Sequence, residues 1–256
     1  MIDAATYGAP NWVDLSTPDI GAATRFYEDL FGWVVSSMTT PMGEYHVAKS
    51  SAHEVGGMMA QSPEMAGQPA VWTMFIYVKD IEDTLNRVEE ALGHVLQAPF
   101  EIPGGAHVSV IADPTGAMLA LIAGGEKPEG TYFSNRLGGV CWVELLTRDV
   151  ATAASFYADV FGWTSATSTT DGTEYTMFKL GGQDVAGMMK MPVEIPSEAP
   201  AHWTTYFTVE DCAATVKMAD ELGGEVLVPT TEISMGKFAV LADPLGAKFD
   251  VMEFVG

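Results

Sequence analysis

Two carboxylates stand at matching places in this chain. Asp14 follows Trp12 by two residues, and Glu144 follows Trp142 by two, each inside a short alternating run rich in strand-forming residues. Residues i and i+2 of a strand share a face, so each acid is expected beside an indole. A carboxylate drawn out of water has its pKa raised and can serve as a general base. The same group, hydrogen-bonded to backbone or to a packing partner, would instead be structural, and the sequence leaves both roles open.

Other chemistry-bearing residues are sparse. The five histidines are His46, His53, His94, His107 and His202, and no two stand at i,i+2 or i,i+4. His202, directly before the run that begins at Trp203, is the best placed of them for a ligand site. Cys141 and Cys212 have no metal spacing and read as small buried apolar residues. No phosphate-cradling glycine loop is present. The formal net charge is −22, from 34 acids against 12 bases. Such a chain is repelled by phosphate backbones and anionic membranes, which argues against nucleic-acid or membrane partners. No run of apolar residues is long enough to span a bilayer. The start, MIDAATYGAP, carries neither a basic segment nor an apolar stretch, so a cytoplasmic protein is expected.

The acids belong to a long internal repeat. NWVDLSTPDIGAATRFYEDLFGW (11–33) lies over CWVELLTRDVATAASFYADVFGW (141–163), with 12 of 23 positions identical. At the same spacing EVGGMM (54–59) meets DVAGMM (184–189). VWTMFIYVKD (71–80) meets HWTTYFTVED (202–211), and VIADPTGAMLALI (110–122) meets VLADPLGAKFDVM (240–252). A period of this length marks two copies of a domain-sized module rather than a solenoid. The copies are expected at 1–124 and 139–256, with the glycine-rich stretch 125–138 as linker.

Within each copy the pattern alternates between strand and helix. In the first, strands are read at NWVDLST, EYHVAK, VGGMMA, WTMFIYV, AHVSVIAD and AMLALIA. Helices start at the capping residues Asp19 and Asp80 and stop near Gly32 and Gly93. Asp113-Pro114-Thr115-Gly116 reads as a tight turn. The order assigned is β-α-β-β-β twice per copy, four times in the chain. The α+β fold class follows.

These motifs together resemble the vicinal oxygen chelate superfamily, which includes glyoxalase I, bleomycin resistance proteins, extradiol dioxygenases and fosfomycin resistance enzymes. The residues that carry the likeness are the helix ending FYxxxFGW, the Gly-Met pair, the tryptophan strand with its V-x-D, and the ADPxGA hairpin, each present twice. The nearest likeness is to a two-copy actinobacterial branch of glyoxalase-like or hydroxylase-like proteins. The resemblance implies tandem modules that curl into two open U-shaped barrels with helices outside, each with a ligand cavity on its concave side. It also implies that a duplicated chain carries the partner module that single-copy relatives gain by dimerising, so that either a monomer or a homodimer suffices.

Members of that superfamily with enzymatic activity hold a divalent metal on four strand positions. Here those positions fall near Trp12, Met58, Thr73 and Ala120 in the first copy, and near Trp142, Met188, Thr204 and Asp250 in the second. Of these only Asp250 is a competent hard ligand, so no metal or other cofactor is expected. Tryptophans 12, 72, 142 and 203 with the methionine pairs suggest cavity walls for a flat apolar molecule. On this reading a small-molecule ligand meets Trp12, Met58, Thr73, Trp142, Met188, His202 and Thr204. Asp14, Glu144 and Asp250 are the candidates for acid–base work. The function expected is either a metal-free small-molecule binder or an enzyme of lyase, isomerase or oxygenase type that uses those carboxylates or a weakly held metal.

Overall fold

The computed structural model describes residues 5–125, 136–170, 172–193 and 195–255. Four β-α-β-β-β units follow one another. The first comprises β1 (Pro10–Thr17), α1 (Ile20–Phe31), β2 (Val34–Thr40), β3 (Gly43–Ser50) and β4 (His53–Ala60). The second has β5 (Val71–Tyr77), α2 (Ile81–Glu90), β6 (His94–Glu101), β7 (Ala106–Ala112) and β8 (Met118–Gly124). The third holds β9 (Val140–Thr147), α3 (Val150–Phe161), β10 (Thr164–Thr170), β11 (Thr173–Leu180) and β12 (Gln183–Lys190). The last consists of β13 (His202–Thr208), α4 (Cys212–Glu221), β14 (Glu225–Ile233), β15 (Gly236–Ala242) and β16 (Lys248–Phe254). The linker expected over 125–138 falls mainly on 126–135, outside the described residues.

Each copy builds one open eight-stranded sheet, in the order β2-β3-β4-β1-β5-β8-β7-β6 and its counterpart β10-β11-β12-β9-β13-β16-β15-β14. The first and fourth strands of a unit pair in parallel, as β1 with β4 and β13 with β16. The remaining pairs within a unit are antiparallel. The strands that the sequence did not reveal are β2, β6, β10 and β14, which are the four sheet edges. No residue of β2, β6 or β14 is fully buried, so no buried apolar face marks them.

The helices begin and end where local chemistry requires. Asp19, Asp80, Asp149 and Asp211 each accept a backbone N–H of the first turn, which satisfies one of the orphan donors there. Gly32 and Gly162 close α1 and α3 in the left-handed region, at φ 67° and 73°, where a side chain would be strained.

By packing, the elements gather into two compact units that do not follow the copies. One combines α2 and β6 to β8 with β9, α3 and β10 to β12. The other combines β1, α1 and β2 to β4 with α4 and β14 to β16. A buried hydrogen-bond chain explains this exchange. Trp72 Nε1 donates to Tyr27 Oη at 2.9 Å, and Tyr27 Oη donates to Asp243 Oδ2 at 3.2 Å. The other oxygen of Asp243 accepts the N–H groups of Leu245 and Ala247 and so shapes the β15–β16 turn. In the other unit Trp203 donates to Tyr157 at 2.8 Å, and Tyr157 to Asp113 at 3.0 Å. Asp113 holds the β7–β8 turn through Thr115 and Ala117. Thus the tyrosine of FYxxxFGW in one copy grips the aspartate of ADPxGA in the other.

Aromatic rings surround each grip. Tyr27 stacks on Trp33 at 5.4 Å and meets Phe249 edge-on at 5.6 Å. Tyr157 stacks on Trp163 at 5.2 Å. The sequence expectation that Trp72 and Trp203 wall a cavity is therefore corrected: both point at the helices and belong to the core, at 5% and 8% exposure. Their indole N–H groups need a buried acceptor, and the helix tyrosine is the one in reach.

Tyr27→Phe and Tyr157→Phe keep the ring but orphan a buried indole donor and take one donor from a buried carboxylate. Each is expected to lower the unfolding free energy by about 1–3 kcal/mol, measured by chemical denaturation. Unchanged stability in both would remove the grip as the tie between the halves.

Candidate functional site

In β4 two adjacent glycines serve opposite faces of the sheet. A Cβ on Gly56 would run into the backbone and side chain of Val13 and approach Trp72, on the helix side. A Cβ on Gly57 would overlap Tyr45 Oη and Asp14 Oδ1, on the side away from the helices. Successive strand residues point to opposite faces, so the glycine pair lets the sheet pack closely on both. Both lie mid-strand, within the VGGMMA run that the sequence placed in a strand.

The face away from the helices carries a buried carboxylate. Asp14 lies opposite Gly57 in the parallel β1–β4 pair and is 7% exposed. Its Oδ1 accepts Trp12 Nε1–H at 2.7 Å and Tyr45 Oη–H at 2.7 Å. The indole N–H also lies 3.0 Å from Tyr45 Oη. Burial raises the Asp14 pKa to about 6, although Tyr45, Trp12 and the Gly57 backbone all pull it down. Tyr45 stays firmly protonated, because burial and the neighbouring carboxylate both disfavour its phenolate. The triad is thus a carboxylate that exchanges its proton near neutrality, beside a phenol that does not.

The other unit repeats the arrangement one methylene longer. Glu144 lies opposite Gly187 in the β9–β12 pair and is 6% exposed. Trp142 Nε1 donates to Tyr175 Oη at 2.9 Å, and Tyr175 is hydrogen-bonded to Glu144. Burial and Glu144 together push the Tyr175 pKa up. A Cβ on Gly187 would overlap Tyr175 and press on Trp142. The sequence placed each acid beside its indole, as found, but missed both tyrosines. The available signal was that Tyr45 and Tyr175 stand at the repeat spacing in GEY and TEY.

The remaining candidates scatter. Met58 and Met188 pair with Leu15 and Leu145, are fully buried, and so lie on the opposite face from the carboxylates. Met59 and Met189 take the carboxylate side and are half-buried. Thr73 neighbours Trp72 and faces away from α1. Thr204 donates to Asp250 Oδ2 in a buried pair, and Asp250 lies opposite Tyr206 in the β13–β16 ladder. His202 Nδ1 donates to the Pro200 carbonyl oxygen at 3.1 Å.

The residues at the implied metal positions do not suit a divalent cation. Indole, a fully buried thioether, threonine and alanine supply no hard or imidazole donor set. Asp250 is the one carboxylate among the eight positions. Among the described residues no three His, Cys, Asp or Glu side chains gather as a metal site requires.

The raised pKa of Asp14 has a defined sign in stability. The folded chain holds this proton more tightly than an unfolded chain does, whose aspartates titrate near 3.9. The contribution therefore falls as pH rises from about 4 to about 6, and the full cost, roughly 3 kcal/mol, remains above that. Denaturation at a series of pH values is expected to show Asp14→Asn gaining on the native protein across this window. A gain in the opposite direction would overturn the shift. Gly57→Ala, which drives Tyr45 off the carboxylate, is expected to move the Asp14 carboxyl NMR midpoint above about 6.

Known proteins share this architecture. A family model described as "Glyoxalase/Bleomycin resistance protein/Dioxygenase superfamily" matches residues 9–121 and again 139–251. CFP32 of Mycobacterium tuberculosis, which is named as a glyoxylase, is 36% identical over 251 residues, covering 96% of this chain and 95% of that protein. The anthracycline biosynthesis protein DnrV of Streptomyces peucetius is 33% identical over 259 residues, covering 96% and 93%. Among solved structures, the Mn(II)-bound glyoxalase from Novosphingobium aromaticivorans superposes with a TM-score of 0.62 at 15% identity, covering 97% of this chain and 84% of that one. The 2,3-dioxygenase LapB from Pseudomonas sp. KL28 superposes with a TM-score of 0.61 at 13% identity, covering 96% and 91%. At those identities the structures share the fold. With the family model matched in both copies, the chain belongs to the glyoxalase/bleomycin resistance protein/dioxygenase superfamily.

Proposed function

We propose that this chain binds a small, largely apolar or aromatic organic molecule against the Asp14–Tyr45–Trp12 and Glu144–Tyr175–Trp142 faces, without a divalent metal. The observation that carries the reading is the desolvated carboxylate in each unit, braced by a tyrosine and flanked by a half-buried indole. Holding a carboxylate out of water costs stability, and Asp14, pushed up to about 6 by burial, is perturbed in the way that functional groups are. The indole supplies a flat apolar wall with a polar edge. Two relatives are named for a glyoxylase and for anthracycline biosynthesis, which supports a small organic ligand.

A second reading is favoured by the proton affinity of Asp14. A carboxylate that titrates at about 6 can take a proton from a bound carbon or oxygen acid and return it at cellular pH. On this reading Asp14, or Glu144, is the general base of a metal-independent enzyme. Tyr45 or Tyr175 then holds the carboxylate in place without yielding its own proton. The protein acts inside the cytoplasm, as a monomer or a homodimer.

Native mass spectrometry of the purified chain is expected to show a co-purified organic molecule that is lost on combining Asp14→Asn with Glu144→Gln, with melting temperature preserved. Elemental analysis for Ni, Zn, Mn and Fe is expected to find well under one metal per chain. Stoichiometric metal that survives dialysis and is required to retain the molecule would defeat the metal-free reading.

A further inference from the structure

A strand at the edge of a sheet leaves half of its backbone groups unpaired, and folded chains blunt such edges with proline, charge or bulges. Two of the edges here are blunted in that way. β6 carries Pro99 and Glu101, and its pairing with β7 shifts register twice. β14 carries Pro229, Glu225 and Glu232, and its pairing with β15 shifts twice as well. β10 (TSATSTT) has no proline and no charged residue. Its register with β11 runs unbroken from Thr164↔Lys179 to Thr170↔Thr173.

The ladder also fixes which backbone groups of β10 face outward. Thr170 and Thr173 flank a two-residue loop. Such a pair exchanges its N–H and C=O groups, and bonded and non-bonded pairs then alternate along the hairpin. Thr164, Ala166, Ser168 and Thr170 therefore bond to β11, and the N–H and C=O groups of Ser165, Thr167 and Thr169 point away from the sheet. The 2.7 Å contact between the Thr167 and Thr176 hydroxyls fits this phase, because side chains come closest in a non-bonded pair. Among the described residues β10 has β11 as its one neighbour in the sheet, and residues 164–169 are all exposed.

Charge limits what can cover this edge. The chain carries −22, so two copies repel over most of their surfaces. β10 has no charge to oppose its own image. β11 behind it carries one acid and one base, Glu174 and Lys179, the latter paired with Asp184 at 2.6 Å. An edge without acids offers nothing to a basic segment, so it selects a partner as neutral as itself. The strand is also self-complementary. Turned about a two-fold axis at Thr167, Ser165 lies opposite Thr169 of a second copy and Thr167 lies opposite its own image. Every outward N–H then meets an outward C=O, and hydroxyl side chains meet hydroxyl side chains. The same rotation about Ser37 of β2, which is also uncharged, sets half-buried Val35 against Thr39, a poorer match.

We propose that β10 is a self-association edge: two copies of this chain pair their β10 strands antiparallel about Thr167 and join two eight-stranded sheets into one. Residues opposite one another share a face, so the Tyr175 side of one sheet continues into the Tyr175 side of the other. A contact one strand long is small beside the ~1,200–2,000 Å² of a stable interface, so the dimer is reversible and concentration-dependent. Salt, which screens the net charge, strengthens it.

NMR diffusion of the full chain from micromolar to millimolar concentration, at low and high salt, is expected to show a monomer–dimer equilibrium that moves toward dimer with salt. In the same native chain, amide exchange at Ser165, Thr167 and Thr169 is expected to slow severalfold on concentration, and exchange at Ser37 to stay unchanged. Thr167→Pro removes the central outward donor without taking a bond from β11, and Thr167→Lys sets like charges face to face. Each is expected to weaken association roughly tenfold or more with the melting temperature preserved. Should the proline variant fail to fold, the lysine variant and the native exchange rates decide. A chain that stays monomeric at millimolar concentration in high salt overturns the edge. So does a dimer that survives both Thr167 variants, or one abolished instead by Ser37→Pro. Protection of the β10 amides by an added threonine–valine peptide, but not by concentration, gives the edge to a foreign strand and overturns pairing between copies.

Discussion

One hydroxyl in each unit ties the structure together. Tyr27 and Tyr157 take an indole N–H on one side and give their own proton to an aspartate on the other. Each tyrosine sits on the first helix of one copy, and each aspartate on the last hairpin of the other. Buried polar groups must be satisfied or the fold loses about the desolvation cost of each. The four groups Trp72, Tyr27, Asp243 and the turn they shape therefore stand or fall together, as do their counterparts. This is why FYxxxFGW and ADPxGA both occur twice: each phrase is half of a contact whose other half is written in the opposite copy.

That exchange commits the helix-facing side of each sheet to the core. The helix side is filled with aromatic rings, valine, leucine and the inner methionines, and the tyrosine grip satisfies the indole and the carboxylate buried there. The other face of β1 and β9 carries the acid–indole pair, and the adjacent strand supplies the tyrosine. Gly57 and Gly187 make this possible, because any side chain there would occupy the space of the phenol. The sheet thus separates two kinds of polar network by one strand's thickness. One ties a helix to a hairpin, and the other joins acid, phenol and indole on the far face.

Of the eight positions that the resemblance assigns to metal ligands, one carries a carboxylate, Asp250. Trp12 and Trp142 stand where the resemblance implies a first metal ligand, and the carboxylates lie two residues further along the same strands. A fold does not dictate its reaction. Here the face away from the helices gathers carboxylate, phenol and indole.

Periodicity and capping are local, and they were legible. The alternation of β1 and β9, the aspartate caps, the glycine stops and the duplication itself can all be read from residues within a few positions of one another. The pairing of acid with indole on one face follows from the two-residue period alone. The edges β2, β6, β10 and β14 escaped because an exposed strand has no apolar phase to detect. What the sequence could not decide was choice of partner across distance. Trp72 and Trp12 look alike in the sequence, yet one turns to a helix tyrosine and the other to a carboxylate. Tyr27 meets Asp243 across 216 positions, and Tyr45 joins Asp14 across 31. Strand alternation tells which residues share a face, but only packing tells which face meets the helices, and that choice separated core from site.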